Sequence, residues 1–201
     1  MRFTACFLFL ILVCCATSVP SAAQHRYFPE KVFAGDPKSN EYWAGRYSKI
    51  LQTLNEPSLY QESKSTQTQS YRFLWVRSFH QPLSLRFEVE PNGTATLTIK
   101  KASGKAGSAH GHVTGTTLTL TRQQAALFLD QVNASGFWRL ATHEDPVVDG
   151  PDGSHWIIEG VKDAVYHIVD RWSPESGPIR TLGLALAVEL GRLKLSAKEI
   201  Y

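Results

Sequence analysis

The alternation of apolar and polar positions is sharpest between residues 83 and 100. Leu83, Leu85, Phe87 and Val89 alternate with Ser84, Arg86, Glu88 and Glu90, the period-two pattern of a half-buried strand. Pro91-Asn92-Gly93 marks a turn, and Ala95, Leu97 and Ile99 then alternate with Thr94, Thr96, Thr98 and Lys100, which completes a hairpin. Residues 71–79, rich in aromatic and β-branched side chains, read as a strand before it. Leu118 and Leu120 among threonines read as a short strand after it. A second hairpin is expected from residues 154–161 and 165–172, around Lys162-Asp163-Ala164.

Three stretches carry the helical period instead. Trp43, Tyr47, Ile50, Leu51 and Leu54 fall on one face, with Ser39 or Asn40 as cap and Pro57 beyond the end. Thr121 and Gln124 form a capping box for a helix over 122–134, closed by Gly136. Pro178 suits the first turn of a last helix, with Ile179, Leu182, Leu186, Leu190 and Leu193 on one side. Leu184, Ala185, Ala187 and Val188 make that helix apolar nearly all round, the mark of burial in a core. It is too short, and carries too many charges in Arg180, Glu189 and Arg192, to span a membrane. The order of elements predicts an α+β fold: an antiparallel sheet built from sequential hairpins, helices packed on one face, and an N-terminal helix before it. The expected divisions are a signal peptide over 1–23, an N-terminal arm with amphipathic helix and polar linker over 24–70, and an α+β domain over 71–201. The linker is the low-complexity run SKSTQTQS at 63–70.

The N-terminus changes the picture more than the bulk composition does. Arg2 precedes an apolar run over residues 3–16, and Ser21-Ala22-Ala23 supplies the small residues a signal peptidase reads. Cleavage after Ala23 is therefore expected, with Gln24 as the new start and a secreted or periplasmic product. The alternative is a lipid anchor at Cys15, in Leu12-Val13-Cys14-Cys15. Because Cys6, Cys14 and Cys15 all precede Ala23, the mature chain is expected to be cysteine-free, without disulfides, a thiol nucleophile or thiolate ligands. A net charge of +3 is too mild to point to nucleic acid.

Several segments resemble a group of uncharacterised exported bacterial proteins. They are Glu56-Pro57-Ser58-Leu59, Tyr71-Arg72-Phe73-Leu74-Trp75 with Phe79-His80, and residues 152–160 (DGSHWIIEG) leading to Tyr166-His167 and Arg171-Trp172-Ser173-Pro174. The resemblance covers most of the chain beyond the signal and implies no activity, substrate or site. It implies a bacterial source, in which the sequons Asn92-Gly93-Thr94 and Asn133-Ala134-Ser135 go unmodified.

The second hairpin carries the candidate chemistry. A three-residue turn would set Glu159 opposite His167 and His155 opposite Arg171, all on one face, and turn Trp156, Ile158, Tyr166 and Ile168 to the other. A carboxylate beside an imidazole orients it and raises its basicity, so Glu159, His167 and His155 are the catalytic candidates. A two-residue turn would shift every partner. The competing reading is an exposed polar face with cross-strand charge pairs. His110-Gly111-His112 has the spacing for zinc or copper on a strand, against the reading of a solvated loop with no carboxylate nearby. Asp145, Asp149 and Asp152 lack the alternating ligand pattern of a calcium loop and read as a polar turn. Trp172 beside Arg171 is the candidate binding anchor, because Trp and Arg dominate interface hot spots. No cofactor motif is present, and none is expected to bind. The function these features support is a non-enzymatic binding or envelope-associated module with a protein or polymer partner in the cell envelope. The alternative is a small hydrolase or metal-dependent enzyme on the polar face of the second hairpin.

Overall fold

The computed structural model describes residues 26–33, 36–65, 68–103, 112–144 and 150–201. Residues 1–23, read from the sequence as a signal peptide and holding Cys15, and His110, Asp145 and Asp149, lie outside the described residues. Six strands form one antiparallel sheet: β1 (Ser70–Arg77), β2 (Leu83–Val89), β3 (Ala95–Ala102), β4 (Val113–Leu120), β5 (Ser154–Lys162) and β6 (Val165–Trp172). Their order in the sheet is β4-β3-β2-β1-β5-β6. Helix α1 (Pro37–Thr53) and the single turn α2 (Leu59–Glu62) precede the sheet, α3 (Arg122–Ser135) joins β4 to β5, and α4 (Pro178–Leu184) follows β6. The α+β class and the sequential hairpins therefore stand as read from the sequence.

β1 is central and buried along its whole length, because both faces of the sheet are covered there. Tyr71, Phe73 and Trp75 point to one face with Leu85, Phe87, Trp156 and Ile158. Against them lie Ala125, Phe128 and Val132 of α3 and Ile179 and Leu182 of α4. Leu74 and Val76 point to the other face with Ile157 and Ile168, under Tyr47, Leu51 and Leu54 at α1. Phe28 and Phe33, from the arm before α1, are buried in that second cluster and meet ring to edge at 5.1 Å.

The helix ends follow local chemistry. Asp36 caps α1 by accepting the Lys38 and Ser39 N–H groups, and Pro37 occupies the first turn. The Thr121/Gln124 capping box forms as expected, and Gly136 ends α3 in the left-handed region at φ 67°. After Leu184 the last helix widens into a π-helical stretch, Ala185–Leu190. Gly183 lets α4 lie directly on the sheet, since a Cβ there would stand 2.7 Å from Cε3 of Trp156.

One expectation about composition is corrected. The chain contains three cysteines, Cys6, Cys14 and Cys15. A cysteine-free chain presupposed loss of the segment that holds them, and the chain includes that segment.

Candidate functional site

The second hairpin turns through two residues, not three. Lys162 pairs with Val165, and the central residues Asp163 and Ala164 both take positive φ, 51° and 62°. Positive φ at both positions is the backbone of a type I′ turn, whose twist matches that of the strands. The consequence is a one-residue shift of every expected partner. Glu159 stands opposite Ile168, His167 opposite Gly160, His155 opposite Trp172 and Arg171 opposite Trp156. Glu159 and His155 share one face, while His167 and Arg171 share the other. The catalytic pairing of Glu159 with His167 does not form.

Each of these residues has other partners. Glu159 is fully buried and receives Nε of Arg72 at 2.7 Å, a second donor from the same guanidinium, and the Tyr166 hydroxyl at 2.8 Å. Arg72 also donates to the Pro57 carbonyl at 2.6 Å and lies 3.6 Å from Glu56. Glu56 in turn holds Arg86 and Lys100, each at 3.0 Å. Burial by itself pulls the Arg72 guanidinium down, and the Glu159 and Glu56 carboxylates outweigh that and hold it above its ordinary value. The cluster is a buried structural network in which each charge is compensated.

His167 sits on the opposite face, 5.0 Å from the Phe137 ring and 6.2 Å from Trp138. Burial lowers its pKa from the ordinary 6.5, against the carbonyls of Leu140 and Phe137, which favour the charged form. Its Nε2 is buried without a hydrogen-bond partner, so a proton there would be unsatisfied. Arg171 donates to the carbonyls of Ala141, Thr142 and Asp170 and lies 3.5 Å from Glu144. It ties residues 141–144 to the edge of the sheet. His112 is exposed, and among the described residues no group of three or more His, Cys, Asp or Glu side chains could hold a metal ion.

His155 and Trp172 come together with residues that the sequence left unconnected. Nδ1 of His155 lies 3.0 Å from Oδ1 of Asp170, and the Tyr47 hydroxyl donates to Oδ2 of the same carboxylate at 3.0 Å. Asp170 thus fixes the imidazole orientation, and α1 is fastened to β6 through Tyr47. The His155 ring lies 4.4 Å from Trp43 and 4.8 Å from Trp172. Trp43 stacks on Tyr47 at 5.5 Å, one helical turn away, and meets Tyr42 edge-on at 5.0 Å. The Trp172 indole is backed by Gly153, where a Cβ would fall 2.5 Å from Cζ2. The rings of Tyr42, Trp43, His155 and Trp172, with Arg46, Ser78 and Pro151, line a cleft between α1 and the ends of β1, β5 and β6. Its walls offer flat aromatic surface for stacking and, at Arg46, an exposed positive charge.

The sequence reading named His155 and Trp172 but missed Trp43, Tyr47 and Asp170 as their neighbours. The helical period had already placed Trp43 and Tyr47 on the inward face of α1. No local signal says which strand that face meets. The family models that were scanned include none that matches this chain, and no curated protein is significantly similar to it.

Glu159→Gln leaves Arg72 buried with one carboxylate fewer, so urea unfolding should show a loss of about 3–5 kcal/mol. A loss under about 1 kcal/mol would mean that the network is not compensating the charge. His167 binds fewer protons folded than unfolded, so its contribution is fully present at neutral pH and is lost as pH falls below its ordinary 6.5. Wild type should therefore lose stability relative to His167→Gln over that range, and parallel stability–pH curves would refute this.

Proposed function

We propose that the protein is an exported binding module, without catalytic activity of its own, whose ligand occupies the cleft between α1 and the sheet. The observation that carries this reading is the run of rings formed by Trp43, His155 and Trp172, held rigid by the Tyr47–Asp170–His155 hydrogen bonds and bordered by Arg46. Aromatic side chains fixed in place give contact area at little entropic cost on binding. His155 serves here as a wall of the cleft with a fixed orientation. The partner is a protein or a polymer of the cell envelope. Residues 1–23 direct export and are removed after Ala23.

The reading separates two neighbours in sequence. Trp172 lines the cleft, and Arg171 faces away from it. In vivo crosslinking and pull-down of the tagged protein should recover a partner, and Trp172→Ala should weaken its binding roughly tenfold or more. Arg171→Ala should leave affinity unchanged while lowering the melting temperature. Equal effects of the two substitutions on affinity would place the contact elsewhere. For export, the intact mass of the protein recovered from its host should correspond to a start at Gln24. A mass carrying acyl chains on Cys15 would replace this with the anchored form.

A further inference from the structure

The cations around this sheet fall into two groups. Arg72, Arg86 and Lys100 each meet a carboxylate. Arg46, Lys49 and Lys101 form no ion pair among the described residues, and each is exposed. Arg77 is only 6% exposed, yet its Nε and Nη1 have no hydrogen-bond partner. Its Nη2 donates to the Gln81 carbonyl at 3.0 Å, and its guanidinium rests on the Trp75 ring at 4.4 Å. Burial pulls the guanidinium below its ordinary value, and the Glu199 carboxylate opposes this through space without an ion pair, so positive potential remains at the surface above it.

These four cations line one groove. The cleft at Trp43 and Trp172 shares Arg46, Val76 and Arg77 with a second stretch, which adds Lys49, Thr53 and His80. That stretch shares His80, Gln81 and Ala102 with a third, which adds Phe79, Lys101 and Thr114. No carboxylate lines any of the three among the described residues. Exposed rings stand at both ends, Tyr42 at 58% and Phe79 at 63%.

We propose that this groove binds a linear acidic polysaccharide, with sugar rings on the aromatic side chains at its two ends and uronate carboxylates at Arg46, Lys49 and Lys101. The inference rests on the binding-module reading and names the ligand class. A continuous open groove suits a chain, where a compact ligand would be enclosed. Cations repeated along it call for a repeated negative charge. Rings with polar surface between them match the flat C–H faces of pyranoses linked by hydroxyl-rich edges. Single-stranded nucleic acid also uses rings and cations, but it carries a charge on every nucleotide and calls for a strongly basic domain. This chain carries only +3.

The test titrates the full chain with oligogalacturonate, heparin fragments, neutral dextran, poly-dT and polyglutamate, read by tryptophan fluorescence and calorimetry. Oligogalacturonate or heparin should bind, dextran should not, and affinity should fall as salt is raised. Arg46→Ala/Lys49→Ala changes two exposed positions on α1, so its melting temperature should stay at the wild-type value. Its affinity should fall roughly tenfold. Absence of binding to both acidic polysaccharides, unchanged affinity in the double variant, or tighter binding of poly-dT or polyglutamate would overturn the proposal. Dextran binding lost in Trp43→Ala but kept in the double variant would overturn the acidic class alone and leave the cleft as a binding site. If the partner found by crosslinking is unaffected by Trp43→Ala and Trp172→Ala, the cleft reading itself fails.

Discussion

A guanidinium without solvent must be matched by charge and hydrogen bonds, and Arg72 imposes that requirement at the centre of this sheet. Its partners come from distant parts of the chain: Glu159 on β5, and Glu56 and Pro57 in the connection after α1. Arg86 on β2 and Lys100 on β3 converge on the same Glu56 carboxylate. A one-residue slip of β5 against β1 that brings Ile158 opposite Arg72 would set Glu159 opposite Tyr71, on the face of Tyr71 and Phe73, at a cost of several kcal/mol for each unpaired ion. The network thus selects the β1–β5 register and fixes where the chain leaving α1 must sit.

The position of α1 follows, and the groove follows from α1. One end of the helix is pinned where Glu56 and Pro57 meet Arg72, and its middle is pinned by the bond from Tyr47 to Asp170. Tyr47, Leu51 and Leu54 fill the space over Leu74, Ile157 and Ile168. The first turns of α1 pass the ends of the strands, and the gap between them becomes a cleft with Trp43 on one wall and Trp172 on the other. The same face therefore carries a sealed, compensated ionic cluster at one end and an open surface lined by cations at the other.

Much of the architecture was legible because it is periodic. The alternation through Leu83–Val89 and Ala95–Ile99, the Thr121/Gln124 box and Gly136 each specify a local conformation, and each is found where it was read. The candidate site was less legible because it turns on a single residue count. Lys162-Asp163-Ala164 gave no sign that Lys162 belongs to the strand. Neither Asp163 nor Ala164 is a glycine, so the left-handed backbone at both positions is imposed by the strands they join. That one count decides whether His167 or Ile168 stands opposite Glu159. Asp170 was passed over because its partners, Tyr47 and His155, come from opposite halves of the chain.

The central position of β1 also governs the order in which contacts become available. β2, β3 and β4 follow β1 in sequence and can add to it as a meander. The other edge of β1 waits for β5, and Arg72 and Glu159 are 87 positions apart. Until β5 arrives, the first half of the chain holds an unpaired strand edge and a cation lacking its main counter-ion. As the chain emerges from the ribosome, no productive intermediate ending before residue 159 can bury Arg72 in its native environment. Completion of the sheet and neutralisation of its core are one event, placed late in synthesis, and a chain halted before β5 remains open on the side where its own next strand belongs.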